Sequence, residues 1–368
     1  LIVELGIHRS LAGRVIRSLL QHDTPGFVRE LPAARGLAII ADAAARTGAD
    51  PARVADLREA TSRWRAFVDA RPGKRRTVSL ELAARSSDQR ERIDAGLRRA
   101  MFQSASEFLG YRVRHNASSL WILPPTRDPI RFDTAHVLSK FGFERLRRDA
   151  GPVTIASVRA GVEGRICEFY PIRADASGTC PTDSLLAPFC AGSARIDLVR
   201  SPSHAVEFRL PEDQPAVGQP IDLVWGQRAP AMLRAVGSDE WTHEYYEVLP
   251  RIPSASVTID IFVHVKAYPF AVPPVSGRVF APGVPRCPAG DTPIGDTVRV
   301  PGAVEFVSRG MIDADVGDAP GYRDMVHWTT EQLGFSPDAF RMYRFSMAHP
   351  MLLAGLCFWF PLSPPQRG

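Results

Sequence analysis

The sequence predicts a multidomain protein with an all-α N-terminal helix-turn-helix and helical segment, followed by a larger α+β domain. Three observations predict it. Apolar residues recur at helical spacing through the first third of the chain, and from Tyr111 onward they begin to alternate. Charge divides at the same place: residues 1–114 carry 21 Lys+Arg against 13 Asp+Glu, and residues 115–368 carry 24 against 27. Most of the 32 prolines follow Pro124, which predicts turns and short strands in the C-terminal body. At 368 residues the chain exceeds one comfortable core. The expected domains are 1–22, 23–112 and 113–368, with a subdivision of the last near 210–220.

The first segment is LIVELGIHRSLAGRVIRSLLQ. Leu1, Ile2 and Leu5 close one helix, and Gly6 supplies the left-handed residue that ends it. The chain begins inside this apolar pattern, so the start of the unit is expected upstream of Leu1. Ile7 plugs the turn. His8 to Ser10 open a second helix, with Ser10 the better cap and His8 the alternative. Leu11, Ala12, Val15, Ile16 and Leu19 form the expected apolar stripe. Arg9, Ser10, Gly13, Arg14, Arg17 and Ser18 form the outer face.

The run L-G-I-H-R-S-L-A-G-R-V-I resembles the turn and recognition helix of bacterial helix-turn-helix transcriptional regulators, including lactose-repressor-type repressors. The resemblance covers about 20 residues, and histidine stands where the family usually has Ser or Asp. It implies that Ile7, Ala12 and Val15 are core. It implies that His8, Arg9, Ser10, Gly13, Arg14 and Arg17 face double-stranded DNA. Arg9 and Arg14 would read guanine, whose two acceptors match a guanidinium fork, and Arg17 would meet phosphate. Two recognition helices are normally presented together, so a homodimer is expected.

Helices are predicted over Ala34 to Thr47 and over Pro51 to Asp69, the second capped by Asp50 with Pro51 at its first position. Val54, Leu57, Ala60, Trp64 and Phe67 or Val68 make its buried stripe. A third helix runs from about Asp88 to Phe108, burying Ile93, Leu97, Met101 and Phe108. Lys74-Arg75-Arg76 between them reads as a solvated loop.

In the body, strands are predicted at Ser118–Leu123, Val153–Val158, Arg165–Tyr170, Ser256–Val265 and Val304–Arg309. Helices are predicted at Phe132–Leu146, Tyr322–Leu333 and Pro337–Tyr343. Met351 to Phe360 is too short to cross a bilayer and reads as a buried strand or oligomer contact. Trp121, Trp225, Trp241, Trp328 and Trp359 read as core.

Five cysteines, Cys167, Cys180, Cys190, Cys287 and Cys357, lack zinc-ligand spacing and read as reduced packing residues. His243-Glu244 lacks the second histidine of a metalloprotease helix and reads as part of a surface helix. The proline-glycine stretch Pro282–Gly302 lacks a phosphate-cradle lysine. No cofactor or metal is expected. The combined expectation is a cytoplasmic, DNA-binding regulator whose body senses an unidentified small-molecule effector or mediates oligomerisation. The alternatives are an enzyme with its site in the C-terminal domain around His243, His264 or His327, and a structural protein that oligomerises through 351–360.

Overall fold

The computed structural model describes residues 5–22, 24–71, 77–78, 81–82, 87–159, 169–172, 184–192, 195–200, 205–238, 242–267, 275–282, 297–298 and 303–363. Leu1, Ile2, Lys74-Arg75-Arg76, Cys167, Cys180, Trp241, Cys287 and most of Arg165–Tyr170 and Pro282–Gly302 lie outside these residues. The chain divides into two units, Leu1–Gly96 and Leu97–Gly368.

In the first unit the turn at Gly6 is followed by α1 (Arg9–Leu19), α2 (Thr24–Glu30), α3 (Ala34–Arg46) and α4 (Pro51–Asp69). The α4 start is as its sequence dictates. The Asp50 side chain accepts from the Ala52 N–H at 2.9 Å, and Pro51 occupies the first turn, where its missing N–H costs nothing. Only part of the expected α4 stripe is buried: Val54 is covered, Leu57 and Trp64 are half-buried, and Phe67 is 45% exposed. Ile7, Ala12 and Ala43 form the unit's apolar cluster, with Leu5, Leu11 and Ile40 packed against it. The next helix, α5 (Ser87–Leu109), carries the division between the units. Its expected apolar face is largely open, with Met101 50% and Phe108 80% exposed, whereas Arg98 and Ser106 are buried. The Arg98 guanidinium donates to the Ala348 carbonyl and Phe102 packs on the His349 ring. These contacts set the helix's rotation against its sequence periodicity.

The second unit is built on strands. A seven-stranded sheet has the order β12 (Glu305–Arg309), β13 (Phe340–Ala348), β9 (Ser254–His264), β1 (Tyr111–Leu123), β2 (Arg131–Arg145), β7 (Ile221–Arg234), β4 (Tyr170–Pro171). It is mixed: β1 and β9 run parallel, and the other pairs are antiparallel. A four-stranded sheet, ordered β11 (Thr297–Val298), β10 (Ser276–Phe280), β14 (Gly355–Pro361), β8 (His243–Val248), shares a core with it. Ile259, Ile261, Val263 and Phe345 there meet Val279, Leu356, Phe358 and Phe360. A three-stranded sheet, β3 (Val153–Arg159), β6 (Ala205–Leu210), β5 (Asp197–Arg200), packs Val153, Ile155, Phe208 and Leu210 with Phe143, Leu223 and Trp225. A further core joins Trp121, Phe262, Phe340 and Met342 to Tyr322, Met325 and Val326 of α6 (Tyr322–Gln332).

Arg145, at the end of β2, is 1% exposed. Its guanidinium donates to the carbonyls of Gln214, Ala150, Gly151 and Pro211 at 2.6–3.0 Å. The rigid fork of donors suits several fixed acceptors at once, a task for which an ammonium is poorly shaped.

The expected fold class does not hold. Strands dominate, with fourteen strands against six α-helices among the described residues, and the largest element is the seven-stranded mixed sheet. An α+β domain is present, but the N-terminus is not the expected all-α domain. Its apolar cluster is small, its last helix passes into the second unit, and β1 begins at Tyr111. Three local expectations fail with it. Phe132–Leu146 is not a helix but β2, with ten of its fifteen residues buried and none exposed. Cover on both faces erases the alternation that marks a strand. Pro337–Tyr343 is one 3-10 turn, Pro337–Ala339, capped by Ser336, and then β13. His243–Glu247 is β8, paired with β14.

Candidate nucleic-acid interface and a polar cavity

Gly6 has φ +61°, which a residue with a Cβ adopts only at a cost of about 1 kcal/mol or more. The chain then enters α1 through His8, whose extended backbone makes it the N-cap. The imidazole Nδ1 accepts from the Ser10 N–H at 3.3 Å and lies 2.7 Å from Ser10 Oγ. The cap is therefore His8 and not the favoured Ser10. His8, Arg9, Ser10, Arg14 and Arg17 are exposed, and Gly13 is half-buried. Arg17 Nε donates to Glu30 Oε2 of α2 at 3.2 Å. Arg9 and Arg14 make no ion pair among the described residues.

The inward face is narrower than the predicted stripe. Ile7, Ala12 and Ser18 are buried, Leu11 and Val15 are half-buried, and Ile16 and Leu19 are 46% and 70% exposed. Ser18 turns inward because its hydroxyl donates to the Val15 carbonyl at 2.7 Å, satisfying it within the helix.

The second unit holds a different constellation. The β1–β9 register sets His115 beside Ser256, Ala117 beside Thr258, Ser119 beside Asp260 and Trp121 beside Phe262. The β9–β13 register extends these rows to Ala348, Ser346, Arg344 and Met342. Strand alternation sends the four rows to one side of the sheet. The apolar row is covered by α6, and the polar rows lie under the 311–319 segment. Between them is a cavity of about 470 Å³, lined by His115, Ser256, Thr258, Arg344, Asp315 and Asp318 among others.

Asp260, fully buried, accepts from Arg344 Nε and Nη2 at 2.8 and 2.7 Å and from the Tyr322 hydroxyl at 2.8 Å. Burial pushes its carboxyl up, against the pull of Arg344 and Tyr322. Arg344 also donates to the Asp315 carbonyl at 2.7 Å. Tyr322 is pushed well up by burial and by Asp260, and its hydroxyl also meets Ser119 at 2.7 Å.

His115 is 2% exposed. Ser256 Oγ donates to the Arg114 carbonyl at 3.2 Å, so its lone pairs accept the Nδ1–H of His115 at 2.7 Å. Nε2 then carries a lone pair, and it is buried without a partner. Burial depresses the imidazole pKa to about 4, so the ring is neutral at pH 7.

On the other side of β1, His136 bonds Ser118 Oγ at 3.0 Å and the Tyr246 hydroxyl, which is 2.8 Å from Ser118 Oγ. Burial depresses His136 to about 3 and raises Tyr246. Nearby, the buried Lys140 Nζ donates to Asn116 Oδ1, and burial lowers its pKa to about 7.

The three histidines of the enzyme alternative do not converge. His243 is exposed on β8. His264 Nδ1 accepts from the Lys266 N–H at 3.1 Å, and His327 Nε2 sits 3.3 Å from the Met311 carbonyl. Trp121 and Trp225 are core, while Trp328 and Trp359 are half-buried. Cys357 is buried, and the half-buried Cys190 thiol is pushed up by burial.

Sequence reasoning missed His115, Ser256, Asp260, Tyr322 and Arg344. The available signal was Ser256, Thr258 and Asp260 at every second position of a strand whose intervening residues, Val257, Ile259 and Ile261, are aliphatic. That pattern ordinarily marks a solvent face, and here α6 and the 311–319 segment roof it.

No protein-family model matches the chain, and no curated protein matches it. Among solved structures it is similar to an M1 zinc metallopeptidase from Deinococcus radiodurans, with 11% identity and a TM-score of 0.27, covering 68% of this chain and 42% of that one. A mutant of a two-domain M1 zinc metallopeptidase bound to L-arginine gives the same identity, score and coverage. The chain thus spans less than half the length of these structures, and a likeness at that score carries no functional argument. No helix among the described residues is long and apolar enough to cross a membrane.

Proposed function

We propose that this chain is a DNA-binding transcriptional regulator, with α1 as the recognition helix and the strand-rich unit as a ligand-sensing or oligomerisation module. One observation supports it above the others. Behind the left-handed turn at Gly6, α1 packs Ala12 inward while Arg9, Ser10, Arg14 and Arg17 stay on the open side. A short helix held by its small residues, with guanidinium groups outward, fits the width of a major groove. On this reading Arg9 and Arg14 meet base edges and His8 and Ser10 the flanking phosphate. Arg17 reaches phosphate from its contact with Glu30. The regulator works in the cytoplasm as a homodimer on a palindromic site.

The test is selection of bound duplexes from a random library, then affinity by fluorescence anisotropy at two salt concentrations. Arg14→Ala costs about 1–3 kcal/mol on the selected sequence and relaxes preference at one base pair. Arg17→Ala weakens binding on all sequences and reduces the salt slope by about one. Recovery of no enriched sequence, or unchanged affinity in both variants, overturns the proposal.

A further inference from the structure

We infer that the cavity over β1, β9 and β13 binds a small organic cation, an amine that also carries hydroxyl donors. The argument begins with charge. The cavity is lined by two carboxylates, Asp315 and Asp318, and one guanidinium, Arg344. Both carboxylates are exposed, and among the described residues neither is in an ion pair. Arg344 is already held on two sides by Asp260 and on a third by the Asp315 carbonyl. Its charge is cancelled by the carboxylate beneath it. The unpaired charge of the lining itself is then that of the two carboxylates, which favours cations over anions.

The floor supplies the second observation. His115 Nε2 is a buried acceptor with no partner, and such a group is costly unless a donor reaches it. It stands in a lining with the hydroxyls of Ser256, Thr258 and Ser346, the last two 3.2 Å apart. A floor rich in acceptors under an acidic rim asks for a ligand rich in donors, charged at one end. Burial keeps the imidazole neutral at pH 7, so it does not oppose a cation; Asp318 pulls its pKa up, and Arg344, Arg114 and Lys140 push it down. The volume, about 470 Å³, lies within the range of small-molecule pockets. A bare metal ion would leave most of it empty.

This inference rests on the sensing role proposed above only for its purpose. Binding is read with no DNA present, so failure here leaves the DNA measurements standing, and failure there leaves this result standing. The full chain is titrated calorimetrically with glucosamine, glucose, butylamine and gluconate. Glucosamine binds, glucose and butylamine bind about tenfold more weakly or worse because each lacks one class of donor, and gluconate does not bind. Asp318→Asn weakens glucosamine about tenfold and leaves the unfolding midpoint unchanged, since the side chain is exposed and outside the Arg344 network. His115→Asn, which keeps a polar side chain at the floor, lowers the preference for glucosamine over butylamine. Binding of gluconate as tight as glucosamine overturns the inference. So does unchanged glucosamine affinity in Asp318→Asn, or no binding by any of the four up to about 10 mM.

Discussion

Replacing Arg344 with methionine removes three donors at once and leaves the buried Asp260 with the Tyr322 hydroxyl as its remaining partner among the bonds described. Asp260 is fully buried and the Arg344 side chain is 19% exposed, so solvent cannot take over the lost bonds. Breaking one side of such a pair costs roughly 3–5 kcal/mol, whereas replacing both sides with apolar groups is often neutral. Arg344→Met therefore destabilises by about 3–5 kcal/mol at pH 7, and adding Asp260→Leu restores most of that loss. The sign with pH follows from the carboxyl. Without Arg344, burial is opposed by the Tyr322 hydroxyl and no longer by the guanidinium, so it raises the folded pKa of Asp260 further above the unfolded value. The single variant's deficit is then smallest below the unfolded carboxyl pKa and grows as pH rises toward the folded one. Urea unfolding followed by tryptophan fluorescence reads all of this, because the buried Trp121 ring lies 4.9 Å from Phe262 in the same layer. A single-variant cost below about 1 kcal/mol, or a double variant no more stable than the single, would refute the electrostatic account.

Lys140 predicts the opposite acid–base trend. Its folded pKa, lowered by burial to about 7, lies below its unfolded value, so stability rises between pH 7 and about 10 by up to ~1.4 kcal/mol per pH unit, and Lys140→Met abolishes that rise. His115 and His136, depressed by burial to about 4 and about 3, stabilise the neutral fold fully above pH ~6.5. Their contribution falls by about 1.4 kcal/mol per pH unit each as pH drops toward those values; a flat acid limb of the unfolding free energy contradicts this. Gly226 sits where β7 crosses Val137, and an added Cβ would lie 2.6 Å from Ile172 Cγ1 and 3.1 Å from Val137 Cγ2. Gly226→Ala should cost roughly 1–3 kcal/mol, measured by the same urea unfolding.

Helix starts were legible because they are local. Asp50-Pro51 names its own helix, and α6 needs only its sequence periodicity. The alternating β9 was also legible, since its aliphatic positions face one layer. What failed depends on cover supplied from far along the chain. β2 looked helical because the same residues are hidden on both sides of a sheet. The α5 face was misassigned because a distant carbonyl, that of Ala348, captures Arg98. The outward arginines of α1 could be read from spacing alone. The cavity could not, because Asp318 and Arg344 come from segments far from His115, and no local pattern announces that meeting.

The buried guanidinium at the end of β2 has a consequence for how the protein tolerates change. It gathers carbonyls just before Val153 and just after Leu210, the two residues that pair where β3 meets β6. One side chain thus ties the paired ends of β3 and β6 to the close of β2. Between those ends β4 returns to pair with β7, and Ile172 and Leu186 enter the core with Trp121, so any change of length there must spare them.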